Sequence, residues 1–306
     1  MDYIISNQLK TIQDILFWTV SFFSKADIYY GHGTNNAWDE AIRLVLPTIY
    51  LPLNLPKNLY LMKLTHMERE RIINRVIRRV KERIPIAYLT NKAWFCNYEF
   101  YIDERVLIPR SPLSELIEKR FASLLTKEPK YILDLCTGSG CIAIACSYFF
   151  PNAIIHATDI SIDALTVTEH NITFHKMKSF VTPVYSDLFN EIKKKYDIII
   201  SNPPYVGENK IKCLPPEYHF EPRIGLIARM EGLEIIHRIL LQASDYLTDN
   251  GMLICEVGYH QEYLIEKYPD VPFIWLEFER GGYGVFMLTK KQLIASQKSL
   301  NQLSIK

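Results

Sequence analysis

Apolar residues in the first third of the chain recur with a helical period. Ile72, Ile73, Val76, Ile77 and Val80 share one face of such a repeat, which predicts an amphipathic helix. Thr65 with Glu68 ahead of them, and Thr11 with Asp14 further upstream, have capping-box spacing, in which hydroxyl and carboxylate each satisfy an unpaired backbone N–H. Pro47, Pro52 and Pro56 lie between those two starts and, lacking an N–H, predict a turn-rich connection there. From 94 to 108 the pattern changes to aromatic and β-branched residues around Asn97, which predicts a β-hairpin. From about Ser111 onward, apolar runs of strand length alternate with helical stretches. That alternation predicts an α/β fold, a mostly parallel sheet covered by helices on both faces. Expected strands lie at 131–136, 153–158, 197–201 and 252–258. A terminal hairpin is expected from 273–278 and 285–289, joined through Gly281, Gly282, Tyr283 and Gly284. The expected organisation is a helical domain at 1–92, a hairpin linker at 93–110, a sheet domain at 111–295 and a polar tail at 296–306.

Composition narrows the classes. With 306 residues, 48% of them hydrophobic and 23% charged, the chain is long enough for two packed domains. A net charge of +1 gives no global argument for nucleic-acid binding, so any basic partner surface must be local. The main basic feature runs over 69–83, with Arg69, Arg71, Arg75, Arg78, Arg79 and Arg83. It reads either as a solvated helix face or as a contact for RNA. The six cysteines show no Cys-x-x-Cys pair and no zinc-type histidine pattern, so they read as reduced core residues with no metal site. The amino terminus has neither a basic region nor a continuous apolar stretch, which fits a cytoplasmic enzyme.

Two motifs carry chemistry. The expected strand 131–136 contains Asp134 and runs into Thr137-Gly138-Ser139-Gly140, followed by a helical run at 141–150. Strand, glycine turn and helix let a ligand approach the backbone, and the new helix presents unpaired N–H groups. The next strand ends in Asp159, whose carboxylate either reaches ribose hydroxyls or caps a helix. The Gly-x-Gly-x-x-Gly fingerprint is absent, so a nucleoside ligand is expected rather than a dinucleotide. Further on, the apolar run 197–201 stops in Asn202-Pro203-Pro204-Tyr205. Each proline restrains the residue before it to extended geometry. The Asn202 side-chain oxygen and the Pro203 carbonyl could then accept both hydrogens of one NH2 group, with the Tyr205 ring as a stacking face. A plain proline turn after a strand is the alternative reading. The insertion 206–230, with Pro215, Pro216, Glu217, Glu221, Pro222 and Arg223, reads as a lid or substrate clamp, or else as a surface loop.

These motifs together resemble the Rossmann-like class I S-adenosylmethionine-dependent methyltransferases. The resemblance implies S-adenosylmethionine as cofactor, held by Asp134, Thr137, Gly138, Gly140, Asp159, Asp187 and Leu188, and catalysis at Asn202, Pro203, Pro204 and Tyr205. Trp94-Phe95, Ile108-Pro109-Arg110 and Glu221-Pro222 are similar to landmarks of the protein-(glutamine-N(5)) methyltransferases. By that resemblance Phe95, Pro109, Arg110 and Glu221 are expected to bind substrate. Phe95 is also a candidate aromatic face for the sulfonium charge. Leu135-Cys136-Thr137, Ser111-Pro112, Tyr30-Gly31-His32-Gly33-Thr34 and 87–96 resemble the branch acting on large-subunit ribosomal protein L-three. That branch implies a ribosomal-protein substrate, in free form or during ribosome assembly, with ribosomal RNA met by 69–83 and no DNA or membrane partner. Release-factor methylation is the alternative, and DNA adenine methylation a further one. Arg229, Tyr259 and Tyr283 depart from the resembling pattern.

Overall fold

The computed structural model describes residues 8–122 and 124–302, and the chain divides into two compact units. The extreme amino terminus, over 1–7, and the last four residues of the expected polar tail lie outside the described residues.

Unit 1 comprises 1–93, 102–104 and 214–220. Its helices are α1 (Ile12–Lys25), α2 (Ala37–Thr48), α3 (His66–Lys81) and the short α4 (Ile86–Thr90). Both expected capping boxes form, Thr11 with Asp14 on α1 and Thr65 with Glu68 on α3. Ile15, Leu16 and Phe23 of α1 pack with Leu44 and Val45 of α2 and Ile72 and Val76 of α3 into one buried core. Pro47 does not belong to the connection where the pattern placed it. It sits in the last turn of α2, where its missing N–H removes a single helical bond, and Ile49, Tyr50 and Leu51 close the end on the carbonyls of Leu46 and Pro47.

The arginine run on α3 is not one free basic face. Arg79 is fully buried between Glu40 and Glu217, and Arg83 pairs with Glu217. Arg75 donates to Thr48, Arg78 pairs with Glu82 one turn on, and Arg71 lies over the Tyr50 ring. Arg71 and Arg78 remain exposed, so the run is part surface and part core.

Unit 2 holds a seven-stranded sheet. The hairpin β1 (Lys92–Phe95) and β2 (Tyr98–Tyr101) turns at Cys96 and Asn97, both with left-handed φ, as a two-residue hairpin loop requires. It is shorter than the 94–108 pattern, and the segment expected as a linker is divided between the units. The sheet strands are β3 (Tyr131–Leu135), β4 (Ile154–Asp159), β5 (Val181–Tyr185), β6 (Tyr196–Ser201), β9 (Leu247–Glu256), β10 (Ile274–Trp275) and β11 (Val285–Thr289). Their order is β10-β11-β9-β6-β3-β4-β5. Neighbours from β9 through to β5 are parallel, and β11 and β10 add antiparallel, as the expected terminal hairpin. From β3 the chain steps outward to β4 and β5, then returns to the other side as β6. The carboxyl ends of β3 and β6 thus form a topological switch point, where open sheets of this kind bind ligands.

The insertion after β6 is not one irregular loop. Its ends pair as the parallel ribbon of β7 (Val206–Gly207) and β8 (Ile227–Ala228), and residues 214–220 group with unit 1. The expected polar tail is also corrected. Helix α11 (Lys290–Gln302, counting α5 as Leu113–Glu118, α6 as Cys141–Phe149, α7 as Ile162–Phe174, α8 as Arg223–Leu226, α9 as Glu234–Tyr246 and α10 as Gln261–Lys267) carries its pattern past Ser296. It buries Leu293 and Leu300 in the core under β9 and β11. Two leucines seven residues apart share a helix face, so a mostly polar segment still docks.

Candidate active site

Register places the motif residues side by side. Leu135 of β3 pairs with Thr158 of β4 and with Ser201 of β6, so the glycine turn, Asp159 and Asn202 all leave the same edge of three adjacent strands. The Ser201 hydroxyl ties β6 to the Leu135 carbonyl at 2.8 Å, just before Asn202.

The turn itself is held from several sides. Gly138 and Gly140 have left-handed φ of 57° and 79°, and Gly140 is the last residue before α6. A side chain at Gly140 would come within 2.9 Å of Thr168, whereas one at Gly138 would meet nothing within 4 Å. The Gly138 backbone therefore faces open space. Buried Asp134 accepts the Thr137 hydroxyl at 2.5 Å and the Ala143 N–H at 3.1 Å through one oxygen, and its other oxygen has no partner among the described residues. Burial, opposed only in part by those bonds, pushes its pKa up to about 7. Asp159 accepts the Gly138 N–H and the Ser161 N–H, both at 2.9 Å, so it anchors the turn and starts α7 at once. Each of its oxygens keeps a second lone pair. Burial holds its pKa above the ordinary carboxylate value.

Thr168 and Asn171, which no motif singled out, brace the turn from α7. Thr168 donates to the Gly138 carbonyl at 2.8 Å, and the Asn171 amide donates to the Ser139 and Tyr101 carbonyls at 2.9 and 3.0 Å. The available signal was a buried-spaced Asn in the interior of a helix, where asparagine is disfavoured unless its side chain is engaged elsewhere.

One cavity gathers Thr137 and Gly138 of the turn, Asp159, Asn202 and Pro204 of the corner, and Phe95, Pro109 and Arg110. Ser161, Ile224 and Gly225 add walls that the sequence did not single out. No hydrogen bond to another described residue occupies the Asn202 side chain. Six expected site residues are not part of this lining: Asp134, Gly140, Pro203, Tyr205, Asp187 and Leu188. Glu221 is not part of it either. Its buried carboxylate accepts the Ile108 N–H at 3.0 Å and grips the Arg110 guanidinium through both oxygens at 2.6 and 2.8 Å, so it holds the wall rather than facing the cavity. Asp187 is paired with Arg238 at 2.7 Å.

Tyr205 donates its hydroxyl to Glu256 at 3.2 Å, and Glu256 also accepts the Ser111 hydroxyl. Burial, reinforced by Glu256, pushes the phenol well above its ordinary value, so it stays a proton donor. A side chain at Gly258 would strike the Tyr205 ring at 2.9 Å, which explains a glycine there. The departures Arg229 and Tyr259 line a separate cleft of about 420 Å³, where the Lys210 ammonium lies 4.8 Å from the Tyr259 ring centre. They leave the cavity with Asn202 intact.

The family model for the methyltransferase small domain matches residues 116–214. The ribosomal protein uL3 glutamine methyltransferase of Francisella tularensis subsp. tularensis is 45% identical over 95% of this chain and 93% of its own length. The chain belongs to the uL3 glutamine methyltransferase family. The relative of that name from Neisseria gonorrhoeae is 40% identical over 95% of this chain and 98% of its own length. Among solved structures, the catalytic domain of hMettl16 in complex with a MAT2A 3'UTR hairpin matches with a TM-score of 0.50. It is 18% identical over 72% of this chain and 80% of its own, a likeness of fold. The chain is thus a methyltransferase, and S-adenosylmethionine is its methyl donor. Among the described residues no group is placed to hold a metal ion, and no helix is long and apolar enough to cross a membrane.

Proposed function

We propose that this enzyme methylates the side-chain amide of a glutamine in ribosomal protein uL3, with the chemistry carried out at Asn202 and Pro203. The observation that carries this reading is the shared cavity, in which Asn202 and Pro204 stand with Thr137, Gly138 and Asp159. The donor fits those residues. The open space over Gly138 admits a ligand against the backbone, and the second lone pairs of Asp159 suit ribose hydroxyls. When bound, S-adenosylmethionine supplies an electrophilic methyl carbon on a sulfonium.

An amide nitrogen is a weak nucleophile because its lone pair is delocalised into the carbonyl. The Asn202 side-chain oxygen and the Pro203 carbonyl accept its two hydrogens and turn the lone pair toward the methyl carbon. Bonds that tighten as the nitrogen becomes positive stabilise the transition state more than the ground state. Tyr205, fixed on Glu256, keeps the corner rigid, and Phe95 offers an aromatic wall to the cationic donor. The methylated nitrogen is strongly acidic and gives its extra proton to water.

The helical unit is read as the part that recognises the protein substrate. Exposed Tyr50, Leu61, Met62 and Met67 supply apolar surface for it. Six unpaired cysteines and a ribosomal-protein substrate favour action in the cytoplasm.

The test is labelled methyl transfer onto uL3, onto assembling ribosomal particles, onto a peptide release factor and onto DNA in parallel, with wild type and Asn202→Ala. Label should appear on a uL3 glutamine. Asn202→Ala should lose at least about a hundredfold in rate while S-adenosylmethionine affinity stays near wild type. Label on DNA or release factor alone, or normal turnover by the variant, overturns the reading.

A further inference from the structure

Gly225 lies in the short helix α8 and lines the same cavity as Asn202, beside Leu107, Pro109, Pro222 and Ile224. All of these residues belong to unit 2. Of the twelve glycines in the chain, every other one has either a left-handed φ or an atom 3.2 Å or closer to where a Cβ would stand. Gly225 has neither. Its φ is not left-handed, and a Cβ there would meet Pro222 Cγ at 3.7 Å and Leu107 Cβ at 3.9 Å, which is ordinary van der Waals contact. Glycine is also the poorest helix former after proline, so local preference gives no reason for it either. Neither backbone geometry nor packing asks for a missing side chain at this position.

The cavity does. A side chain grown at Gly225 would stand between Leu107 and Pro222, which both line it, and away from the turn at 137–140 where the donor fits. Ile224, the residue before it, is 55% exposed while lining the cavity, so this wall reaches solvent. A protein substrate enters from solvent and brings its own backbone with the glutamine. The wall at Leu107, Pro109, Pro222 and Ile224 is apolar and uncharged, as the two methylenes of a glutamine arm require. Glycine is the residue that lets a second backbone come close to the first.

We propose that Gly225 is a specificity-determining residue for methyl transfer: its missing side chain leaves the mouth of the cavity wide enough for the polypeptide backbone beside the target glutamine. This rests on the reading of that cavity as the site of methyl transfer to a protein.

The test compares Gly225→Ala and Gly225→Leu with wild type in melting temperature, S-adenosylmethionine affinity, and KM and kcat for uL3. Gly225→Ala should melt at or above the wild-type temperature, because alanine favours the helix and restricts the unfolded chain. Donor affinity should stay near wild type in both variants. For uL3, kcat/KM should fall about tenfold in Gly225→Ala and about a hundredfold in Gly225→Leu, with the loss carried mainly by KM. Should Gly225→Leu not fold, Gly225→Ala decides alone. Undiminished kcat/KM in a folded variant overturns the proposal. So does a loss of donor affinity, a loss confined to kcat, or a lower melting temperature in Gly225→Ala, since glycine would then serve the donor, the chemistry or the fold. Failure of wild type itself to label uL3 strikes the functional reading and is seen before any variant is compared.

Discussion

Two buried carboxylates, one in each unit, have opposite surroundings. Among the described residues, Asp134 under the glycine turn has no cation beside it and keeps one oxygen without a partner, and burial pushes it up to about 7. Glu217 is as deeply buried, yet Arg83, the Tyr29 N–H and Arg79 outweigh burial and hold it down to about 2. Burial alone therefore does not decide ionisation; the donors supplied with it do. The two groups also act on stability in opposite pH windows. Glu217 contributes stability above its ordinary value of 4.5, and that contribution is lost as pH falls toward 2. Asp134, with a raised value, contributes below its ordinary 3.8, and its contribution is lost as pH rises through about 7. One unit uses a fully paired cluster as an anchor. The other keeps an under-paired acid where backbone must stay open to a ligand.

The sharpest way to break the contrast is to remove the cation. Arg79→Met leaves buried Glu40 with the Thr34 hydroxyl and no cation, takes one of the two cations from Glu217, and should cost roughly 3–5 kcal/mol of unfolding free energy. Denaturant unfolding near neutral pH measures it. A loss below about 1 kcal/mol would mean that the two carboxylates find other partners or water, and the anchor reading of this cluster would fail with it.

The reciprocal experiment is Asp134→Asn. The neutral amide can still accept from Thr137 and Ala143, but it no longer titrates. Between pH 5 and pH 8 the wild type should lose about 3 kcal/mol relative to this variant, because the native acid must ionise within that window while the unfolded one already has. Parallel unfolding-free-energy profiles for the two proteins would show that Asp134 is not perturbed at all.

How much of this was legible beforehand depended on range. Capping boxes and the strand-turn-helix at Gly138 are local patterns, and each folds as its spacing implies, while the hairpin around Asn97 forms over a shorter stretch than its pattern. The corner at Asn202 and the turn at Gly138 sit on one cavity because parallel strands bring their carboxyl ends together, a consequence of fold class. What stayed hidden needed partners far away in sequence. Glu221 reads as a substrate contact until Ile108 and Arg110 are seen to occupy it. Thr168 and Asn171 have no motif at all, since only the arrival of α7 against the turn gives them work. Leu300 looks like part of a polar tail because one apolar residue per two turns hardly registers until a core waits for it. Within the run at 69–83 the burial of Arg79 was hidden for the same reason, since charge is visible in sequence and burial is not.

Arg78 and Arg79 sharpen that last point at the smallest scale. They are adjacent on α3, identical in type, and indistinguishable in any composition window. Yet Arg78 is half-exposed and pairs with Glu82 one turn on, at 3.1 Å, while Arg79 is sealed in. An exposed pair at that spacing gains little, since water screens it and two long side chains must be ordered to make it. Arg78→Ala should therefore change unfolding free energy by no more than about 0.5 kcal/mol. Removing its neighbour should cost several times that. Raising salt to molar concentration should erase the Arg78 effect and leave the Arg79 effect nearly whole, because exposed charges are screened and buried ones are not. Equal losses from the two substitutions, or equal salt sensitivity, would mean that the helix presents both arginines alike and that Glu217 is not gripped from within.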